Sequence, residues 1–113
     1  MVINASVNAM RPEVQFADYN ASKAAAASLA AMLAVEWSAK GLCVTCLCPG
    51  YFRASMTARY LDDPQTASEL LTRIRAGRFG TATDIVATVE FLLGNQASFL
   101  SGATIPLAGA SNT

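Results

Sequence analysis

The chain has 113 residues, of which 53% are hydrophobic and 14% are charged, and 8 basic side chains balance 8 acidic ones. This composition is typical of a globular protein and excludes a disordered chain. No segment reaches the roughly 18 consecutive apolar residues of a membrane-spanning helix, and no cluster of Lys or Arg offers a surface to phosphate groups. We therefore expect neither a membrane nor a nucleic acid as partner.

The amino-terminal residues and the cysteines both indicate a reducing compartment. The first residues lack the basic segment and apolar core of a secretory signal, so we predict a cytoplasmic protein. Cys43, Cys46 and Cys48 form a short cluster, but the chain has no histidine and a structural zinc ion usually takes four good ligands. We therefore predict no metal site and interpret these cysteines as part of a buried apolar strand.

Hydrophobic patterning predicts alternating strands and helices. We predict strands over Val2 to Ala5, Leu42 to Leu47 and Ala103 to Leu107, and helices over Ala17 to Lys40, Pro64 to Ala76 and Ala82 to Leu93. With right-handed crossovers, this order predicts an α/β fold in which three parallel strands are flanked by helices.

The predicted helix ends have local signals. Gly41 is placed to end the long first helix, because glycine tolerates the left-handed conformation common after a last turn. Asp63 is placed to cap the next helix, which has Pro64 at its first position. Thr81 and Asp84 resemble a capping box at the start of the last helix.

Ser6, Tyr19 and Lys23 form the strongest candidate for a catalytic site. Tyr19 and Lys23 are four residues apart at the start of the long helix, so their side chains lie on one face, one turn apart. Ser6 follows the first strand, at the carboxyl edge where open α/β sheets bind ligands. A phenol has an ordinary pKa of about 10, and an adjacent ammonium favours the phenolate, which makes it a better general acid and base. With a serine hydroxyl to hold an oxygen atom, this grouping suits carbonyl reduction.

Five ordered segments resemble the carboxyl-terminal half of the short-chain dehydrogenase/reductase (SDR) family. They are Asn4-Ala5-Ser6-Val7, Tyr19-Asn20-Ala21-Ser22-Lys23-Ala24-Ala25, Cys48-Pro49-Gly50-Tyr51-Phe52-Arg53, Arg78-Phe79-Gly80 and Phe99-Leu100-Ser101-Gly102. The resemblance implies the carboxyl-terminal part of a Rossmann-like, doubly wound parallel sheet. It also implies an NAD(P)-dependent oxidoreductase that interconverts a carbonyl and an alcohol on a small molecule.

The resemblance further implies a role for each matched position. Ser6 would orient the substrate carbonyl, and Tyr19 would donate or accept the proton. Lys23 would favour the phenolate and bind the nicotinamide ribose, so Tyr19 and Lys23 would both contact the cofactor. The nicotinamide of NAD or NADP would also lie against three residues of the Pro-Gly loop: Pro49, Gly50 and Phe52.

The 113 residues contain no Gly-rich turn of the kind that holds a pyrophosphate at a helix amino terminus. We therefore interpret residues 1–113 as a partial SDR domain that lacks the dinucleotide-binding half and is inactive by itself. Two interpretations stay open. One is the catalytic half of a longer or truncated oxidoreductase; the other is a non-catalytic interaction module whose exposed first strand pairs with another chain.

Partners and substrate are predicted from two further segments. The alanine-rich helix within residues 17–40 has small side chains that permit close approach of another helix, and we predict a homo-oligomer through it. The segment from Tyr51 to Gly77 would form a substrate lid. Its start, Tyr51 to Thr57, resembles that of polyol and sugar-acid dehydrogenases, whereas the remainder resembles 3-oxoacyl reductases equally well. Four arginines of the lid could meet an acidic or hydroxylated substrate: Arg53, Arg59, Arg73 and Arg75.

Overall fold

Three parallel strands form the sheet of this protein in a computed structural model, which describes residues 1–111. β1 (Val2–Asn4), β2 (Thr45–Pro49) and β3 (Thr104–Leu107) are hydrogen-bonded in the order β1-β2-β3. β2 is therefore central, and the outer edge of β1 pairs with no strand among residues 1–111. The predicted parallel α/β sheet is confirmed.

Helices cover both faces of the sheet. They are α1 (Ala17–Trp37), α2 (Ser55–Leu61), α3 (Pro64–Leu71) and α4 (Ala82–Leu93), and short 3₁₀ turns lie at Val7–Ala9, Ser38–Lys40 and Asn95–Leu100. α1 packs on one face of the sheet and α4 on the other, whereas α2 and α3 pack on each other beyond the carboxyl ends of the strands. This three-layer arrangement is the one expected for part of a doubly wound sheet.

Small side chains bring α1 close to the sheet. The buried cluster on this face consists of Ala5, Ala30, Ala34, Val44, Cys46 and Cys48. The opposite face buries Leu47 against Leu92 and Ala97. A third cluster, formed by Leu61, Ile74 and Phe79, lies under α2 and α3. The alanine-rich pattern of α1 therefore has a packing cause within this chain, since larger residues at Ala30 and Ala34 would separate the helix from β2.

β2 runs over Thr45–Pro49, so the second strand begins three residues later and ends two residues later than the predicted Leu42 to Leu47. Its limits follow from pairing with both neighbours: Thr45 lies opposite Val2, and Pro49 lies opposite Leu107. Pro49 lacks an N–H group, which a central strand tolerates only at its end. Cys43 consequently lies before the strand and is half-buried, whereas Cys46 and Cys48 are buried.

The second predicted helix is shorter than expected, and the structure has one α-helix, α2, that the sequence does not predict. α3 begins at Pro64 as predicted but ends at Leu71 instead of Ala76. The chain leaves the helix because Ile74 forms an antiparallel bridge with Ser111, and the Ala76 amide donates to the Gly109 carbonyl at 3.0 Å. These long-range bonds outweigh local helix propensity. The short helix α2 lies in a segment that has no clear helical period.

The predicted helix caps are confirmed. Gly41 has φ of +79° after α1 and its 3₁₀ extension. The Asp63 carboxylate accepts from the Thr66 amide at 3.0 Å. At α4, the Asp84 carboxylate accepts from the Thr81 amide at 2.8 Å, and hydrogen bonds from Arg78 hold the pKa of Asp84 well below its usual range. The last helix is therefore fixed to the segment that precedes it.

Residues 1–111 contain neither a candidate membrane-spanning helix nor a metal-binding group of side chains. No helix in this part of the chain is both long and apolar enough to cross a membrane. Within the same residues, no three Cys, Asp or Glu side chains are grouped so that they could hold a metal ion. The Cys46 and Cys48 sulfur atoms lie 3.8 Å apart, as unbonded neighbours in the core.

The buried thiols predict a loss of stability at high pH. Burial, together with the adjacent Cys48 thiol, raises the pKa of Cys46 from its ordinary value of 9.0 to about 11. The thiol of the unfolded chain therefore ionises first, so stability is complete below pH 9.0 and falls as the pH rises toward 11. Urea unfolding between pH 9.0 and about 11 measures how steeply the free energy of unfolding falls with pH. Cys46→Ala should make this dependence on pH less steep, and Cys43→Ala should not. An equal pH dependence in both variants would contradict the attribution to Cys46.

Candidate active site

A cavity of about 300 Å³ lies beyond the carboxyl ends of β1 and β2, between the sheet, the start of α1 and helix α2. Ser6 borders it from the turn that follows β1, Tyr19 from α1, and Gly50 from the loop that follows β2. Parallel strands end at the same sheet edge, and this alignment brings these three residues together across long sequence separations. Two of the three predicted catalytic residues therefore face one space.

The third predicted catalytic residue, Lys23, lies beside Tyr19. Its ammonium nitrogen is 5.4 Å from the centre of the Tyr19 ring, one helical turn further along α1. Lys23 forms no hydrogen bond or ion pair with any other described residue. Phe16 also contacts the phenol, with the two rings in an edge-on arrangement at 6.5 Å between centroids. The phenol thus has both a cation and an apolar ring as neighbours.

A hydrogen-bond network holds the Ser6 hydroxyl. Ser6 is buried, and its oxygen accepts from the Asn8 amide at 3.2 Å and donates to the Asn8 side-chain oxygen at 3.4 Å. The Asn8 side chain donates to Asn20 of α1 at 2.9 Å, and Asn20 donates in turn to the Glu13 carbonyl at 2.8 Å. Two asparagines therefore connect the serine to the helix that positions Tyr19.

A second polar cluster joins the loop before α1 to the lid. The Glu13 carboxylate accepts from the Tyr51 hydroxyl at 3.2 Å and from Arg73 at 2.9 Å, and Arg73 also donates to the Tyr51 oxygen at 3.3 Å. Glu13 and Tyr51 both border the cavity. Burial, aided by the Glu13 charge, raises the pKa of Tyr51, although Arg73 opposes this. Tyr51 is therefore a neutral hydrogen-bond donor at physiological pH.

The three residues of the Pro-Gly loop lie in different surroundings. Gly50 borders the cavity, and glycine is required there because a Cβ atom would lie 2.8 Å from the Ala108 Cβ. Pro49 is the last residue of β2 and does not line the cavity. Phe52 is buried, and its ring fills the space beside Gly80. The structure thus brings Gly50, but not Pro49 or Phe52, to the space shared by Ser6 and Tyr19.

The four lid arginines have different surroundings. Arg59 borders the cavity and donates to the neighbouring Tyr60 hydroxyl at 3.0 Å. Arg73 pairs with Glu13, and Arg53 lies over the Phe79 ring at 5.8 Å. Arg75 borders a different cavity, near Val7 and Ser111. Among the four, only Arg59 lines the cavity that holds Tyr19.

The arrangement fits the nicotinamide end of a dinucleotide. Lys23 has no hydrogen-bond acceptor within residues 1–111, so its donors are available to a ribose hydroxyl beside the phenol. The cavity next to it is bordered by the backbone of Gly50, where no side chain intervenes. The described residues include no Gly-rich turn for a pyrophosphate.

Sequence patterns did not indicate the residues that support this site. Asn8 lies outside the segments that resemble the family, Asn20 lies in one of them without an assigned role, and the partners of Glu13 lie 38 and 60 residues away in the chain. Only the position of Asn8, two residues after Ser6, could have suggested a local side-chain-to-backbone bond. The supporting network therefore requires the tertiary structure.

Glu13 should hold residues 51–77 against the loop before α1, since it accepts hydrogen bonds from both Tyr51 and Arg73. Replacing it in Glu13→Ala removes the shared acceptor of Tyr51 and Arg73, so we expect faster amide hydrogen exchange in residues 55–73. The free energy of unfolding should fall by only about 1 kcal/mol, because Arg73 is half-exposed. Glu69→Ala removes an equal charge from the exposed side of α3 and serves as the control. Equal exchange in both variants would contradict a clamping role for Glu13.

Comparison with known proteins gives consistent matches over nearly the whole chain. The family model described as Enoyl-(Acyl carrier protein) reductase matches residues 1–109. The chain is 32% identical over 111 residues to Dehydrogenase/reductase SDR family member 4 of Oryctolagus cuniculus, covering 98% of this chain and 43% of that protein. It is 30% identical to the 2-dehydro-3-deoxy-D-gluconate 5-dehydrogenase of Escherichia coli (strain K12), covering 96% of this chain and 43% of that protein.

A solved structure shows the same fold. It is a protein of Agrobacterium tumefaciens, provisionally named a 2-deoxy-D-gluconate 3-dehydrogenase, with bound NADP. The TM-score is 0.91 at 33% identity, covering 96% of this chain and 44% of the other. The chain thus spans less than half the length of these relatives. With its three-stranded parallel sheet and flanking helices, it has the carboxyl-terminal part of a Rossmann-like fold and belongs to the short-chain dehydrogenase/reductase family.

Proposed function

We propose that these residues form the catalytic, substrate-side part of an NAD(P)-dependent oxidoreductase that interconverts a carbonyl and an alcohol. The observation that supports this most directly is the placement of Ser6 and Tyr19 on one cavity, with the Lys23 ammonium 5.4 Å from the Tyr19 ring. A hydroxyl donor, a phenol and a fixed cation are the groups that proton transfer to a carbonyl oxygen requires.

The three side chains have separate roles in this proposal. Ser6 keeps the hydrogen bond that it accepts from the Asn8 amide and turns its hydroxyl proton from the Asn8 side-chain oxygen to the substrate oxygen, which fixes the position of that oxygen. The Tyr19 hydroxyl gives its proton to that oxygen during reduction and takes it back during oxidation. The Lys23 ammonium favours the resulting phenolate. The bound nicotinamide cofactor supplies the hydride to the carbonyl carbon during reduction.

Tyr51 borders the same cavity but does not fit the role of the acid and base. Its raised pKa and its bond to the Glu13 carboxylate keep it protonated and occupied. The Tyr19 side chain instead has a neighbouring ammonium, and its hydroxyl has no carboxylate partner among the described residues. We therefore assign proton transfer to Tyr19, which lies beside Lys23, and a supporting hydrogen bond to Tyr51, which is bonded to Glu13.

The cofactor would be held at its nicotinamide end. Lys23 and Tyr19 would bind the ribose, and the loop of Pro49, Gly50 and Phe52 would lie near the ring, with Gly50 closest to the cavity. Contacts to the pyrophosphate must come from outside these 113 residues. Among residues 1–111 the outer edge of β1 pairs with no strand, which suits it to pairing with a further parallel strand. The cofactor proposed is NAD or NADP.

The substrate proposed is a small carbonyl or alcohol compound, of the sugar-acid or the 3-oxoacyl type. The name of the E. coli relative points to the sugar acid, and that of a further relative, the Acetoacetyl-CoA reductase of Shinella zoogloeoides, points to the 3-oxoacyl type. We also propose a cytoplasmic location, since the three cysteines are free thiols, as is usual in a reducing compartment.

A hybrid enzyme would test the proposed function. The amino-terminal part of the E. coli relative, up to the start of the similarity, would be joined to residues 1–113 and assayed for NAD(P)H oxidation with keto sugar acids and 3-oxoacyl thioesters. Turnover is expected, and Tyr19→Phe should lower the rate by about a hundredfold to ten-thousandfold because the proton donor is lost. Thr88→Val removes a hydroxyl from α4, outside the cavity, and should leave the rate unchanged.

Two results would contradict the proposal. One is a folded hybrid that binds NADPH but reduces no ketone. The other is activity that survives Tyr19→Phe, which would remove Tyr19 from its role. A folded, inactive hybrid would favour the alternative of a non-catalytic interaction module.

We also propose that the enzyme is a homo-oligomer assembled through the helix within residues 17–40. The outer face of α1 exposes three large apolar side chains at helical spacing, Leu29, Met32 and Val35, with 53%, 55% and 79% of their surface accessible. An apolar stripe of this kind is expected where two copies of a helix pack together.

Met32→Arg should dissociate the oligomer, because the interface would bury an unpaired guanidinium. Sedimentation velocity of the wild-type chain and the variant measures the change. Gln65→Arg adds the same charge on the exposed side of α3 and is expected to leave the oligomer intact. A sedimentation coefficient that Met32→Arg does not alter would count against α1 as the interface.

A further inference from the structure

A second cavity of about 280 Å³ adjoins the one that holds Ser6 and Tyr19. The two share five lining residues, so they form one connected space: Glu13, Phe16, Tyr51, Thr57 and Tyr60. The second cavity extends away from Tyr19 toward the inner surfaces of α2 and α3. We call this second cavity the annex. Its remaining walls are Phe52, Leu61, Thr66 and Leu70.

Most of the surface of the annex is apolar. Four of its nine lining residues are Phe16, Phe52, Leu61 and Leu70, and the aromatic rings of Tyr51 and Tyr60 add further apolar surface. Phe52 and Leu61 are buried and belong to the packed interior rather than to a mobile surface. The lining of the first cavity, in contrast, includes Ser6, Asn8 and Arg59.

The polar side chains of the annex are already bonded to other protein groups. The Thr57 hydroxyl donates to the Phe52 carbonyl at 2.6 Å, and the Thr66 hydroxyl bonds to Asp63. Tyr51 donates to Glu13, whose charge is paired with Arg73. Tyr60 accepts from Arg59. A hydroxylated or anionic group placed in the annex would lose its hydrogen bonds to water, and the annex offers fewer unbonded donors and acceptors to replace them.

We propose that the annex binds the apolar substituent of the substrate, so that the preferred substrate is a ketone or secondary alcohol with a neutral hydrocarbon chain or ring beside the reacting carbon. This inference rests on the proposed function, which places the carbonyl at Ser6 and Tyr19. It favours the acyl type of substrate over the sugar acid. The size is sufficient, since a dry apolar cavity of about 150 Å³ accommodates benzene.

Ligand-observed saturation-transfer NMR on the wild-type chain tests this inference without the cofactor. The probes are benzylacetone, which has a phenyl ring beyond its carbonyl, acetone, which has no such group, and xylulose, a hydroxylated ketone. Benzylacetone should bind more tightly than either of the others. Nuclear Overhauser effects should connect its ring protons to the methyl groups of Leu61 and Leu70.

Two variants of adjacent residues provide the matched comparison. Leu70→Phe places a larger side chain in the annex and should weaken benzylacetone binding by about tenfold. Leu71→Phe makes the same change at the next residue of α3, which is also half-buried but does not line the annex. It should leave the affinity for benzylacetone unchanged. Circular dichroism verifies that both variants are folded.

Three results would overturn the inference. They are tighter binding of xylulose than of benzylacetone, equal affinities for benzylacetone and acetone, and equal effects of the two phenylalanine variants. Absence of binding by every ketone to a folded chain would also overturn it. The hybrid enzyme and its Tyr19→Phe variant test the proposed function separately. If the hybrid preferred a keto sugar acid, carbonyl reduction at Ser6 and Tyr19 would be supported, but the annex would be rejected as the site of the substituent.

Discussion

The pairing of β2 with a parallel strand on each side is the constraint on which the rest of the structure depends. Parallel strands end at one edge, so the turn after β1 and the loop after β2 emerge side by side. Ser6 and Gly50 thereby border one cavity although 44 positions separate them in the sequence. The small residues of α1 then allow this helix to approach the sheet closely enough to add Tyr19 to the same space.

The site itself depends on how polar groups are partnered. Lys23 has no acceptor among the described residues and lies beside the phenol assigned to proton transfer, whereas Arg73 is paired with Glu13 and Tyr51. In the proposed function Lys23 is thus free to act on the Tyr19 phenol, whereas Arg73 holds residues 51–77 against the loop before α1. The two connected cavities differ in the same way. The polar side chains of the annex are bonded to other protein groups, so mainly apolar surface is left there to contact a ligand.

Much of the fold could be predicted from local sequence signals. Asp63 with Pro64 and Thr81 with Asp84 marked two helix starts correctly, because caps depend on residues within one turn. The end of α3 and the limits of β2 were predicted wrongly. Both are set by hydrogen bonds to distant partners, such as that between Ala76 and Gly109. The short helix α2 had no periodic pattern long enough to detect.

The sequence by itself determined the α/β class, the family resemblance and the candidates Ser6, Tyr19 and Lys23, because spacing along a helix and position after a strand are local properties. Only the tertiary structure decided that Phe52 packs beside Gly80 and lines the annex, that Asn20 of α1 holds Asn8 beside the serine, and that Glu13 reaches Arg73. It also decided where the annex lies. These features arise from contacts between segments far apart in the chain, and no local pattern encodes such contacts.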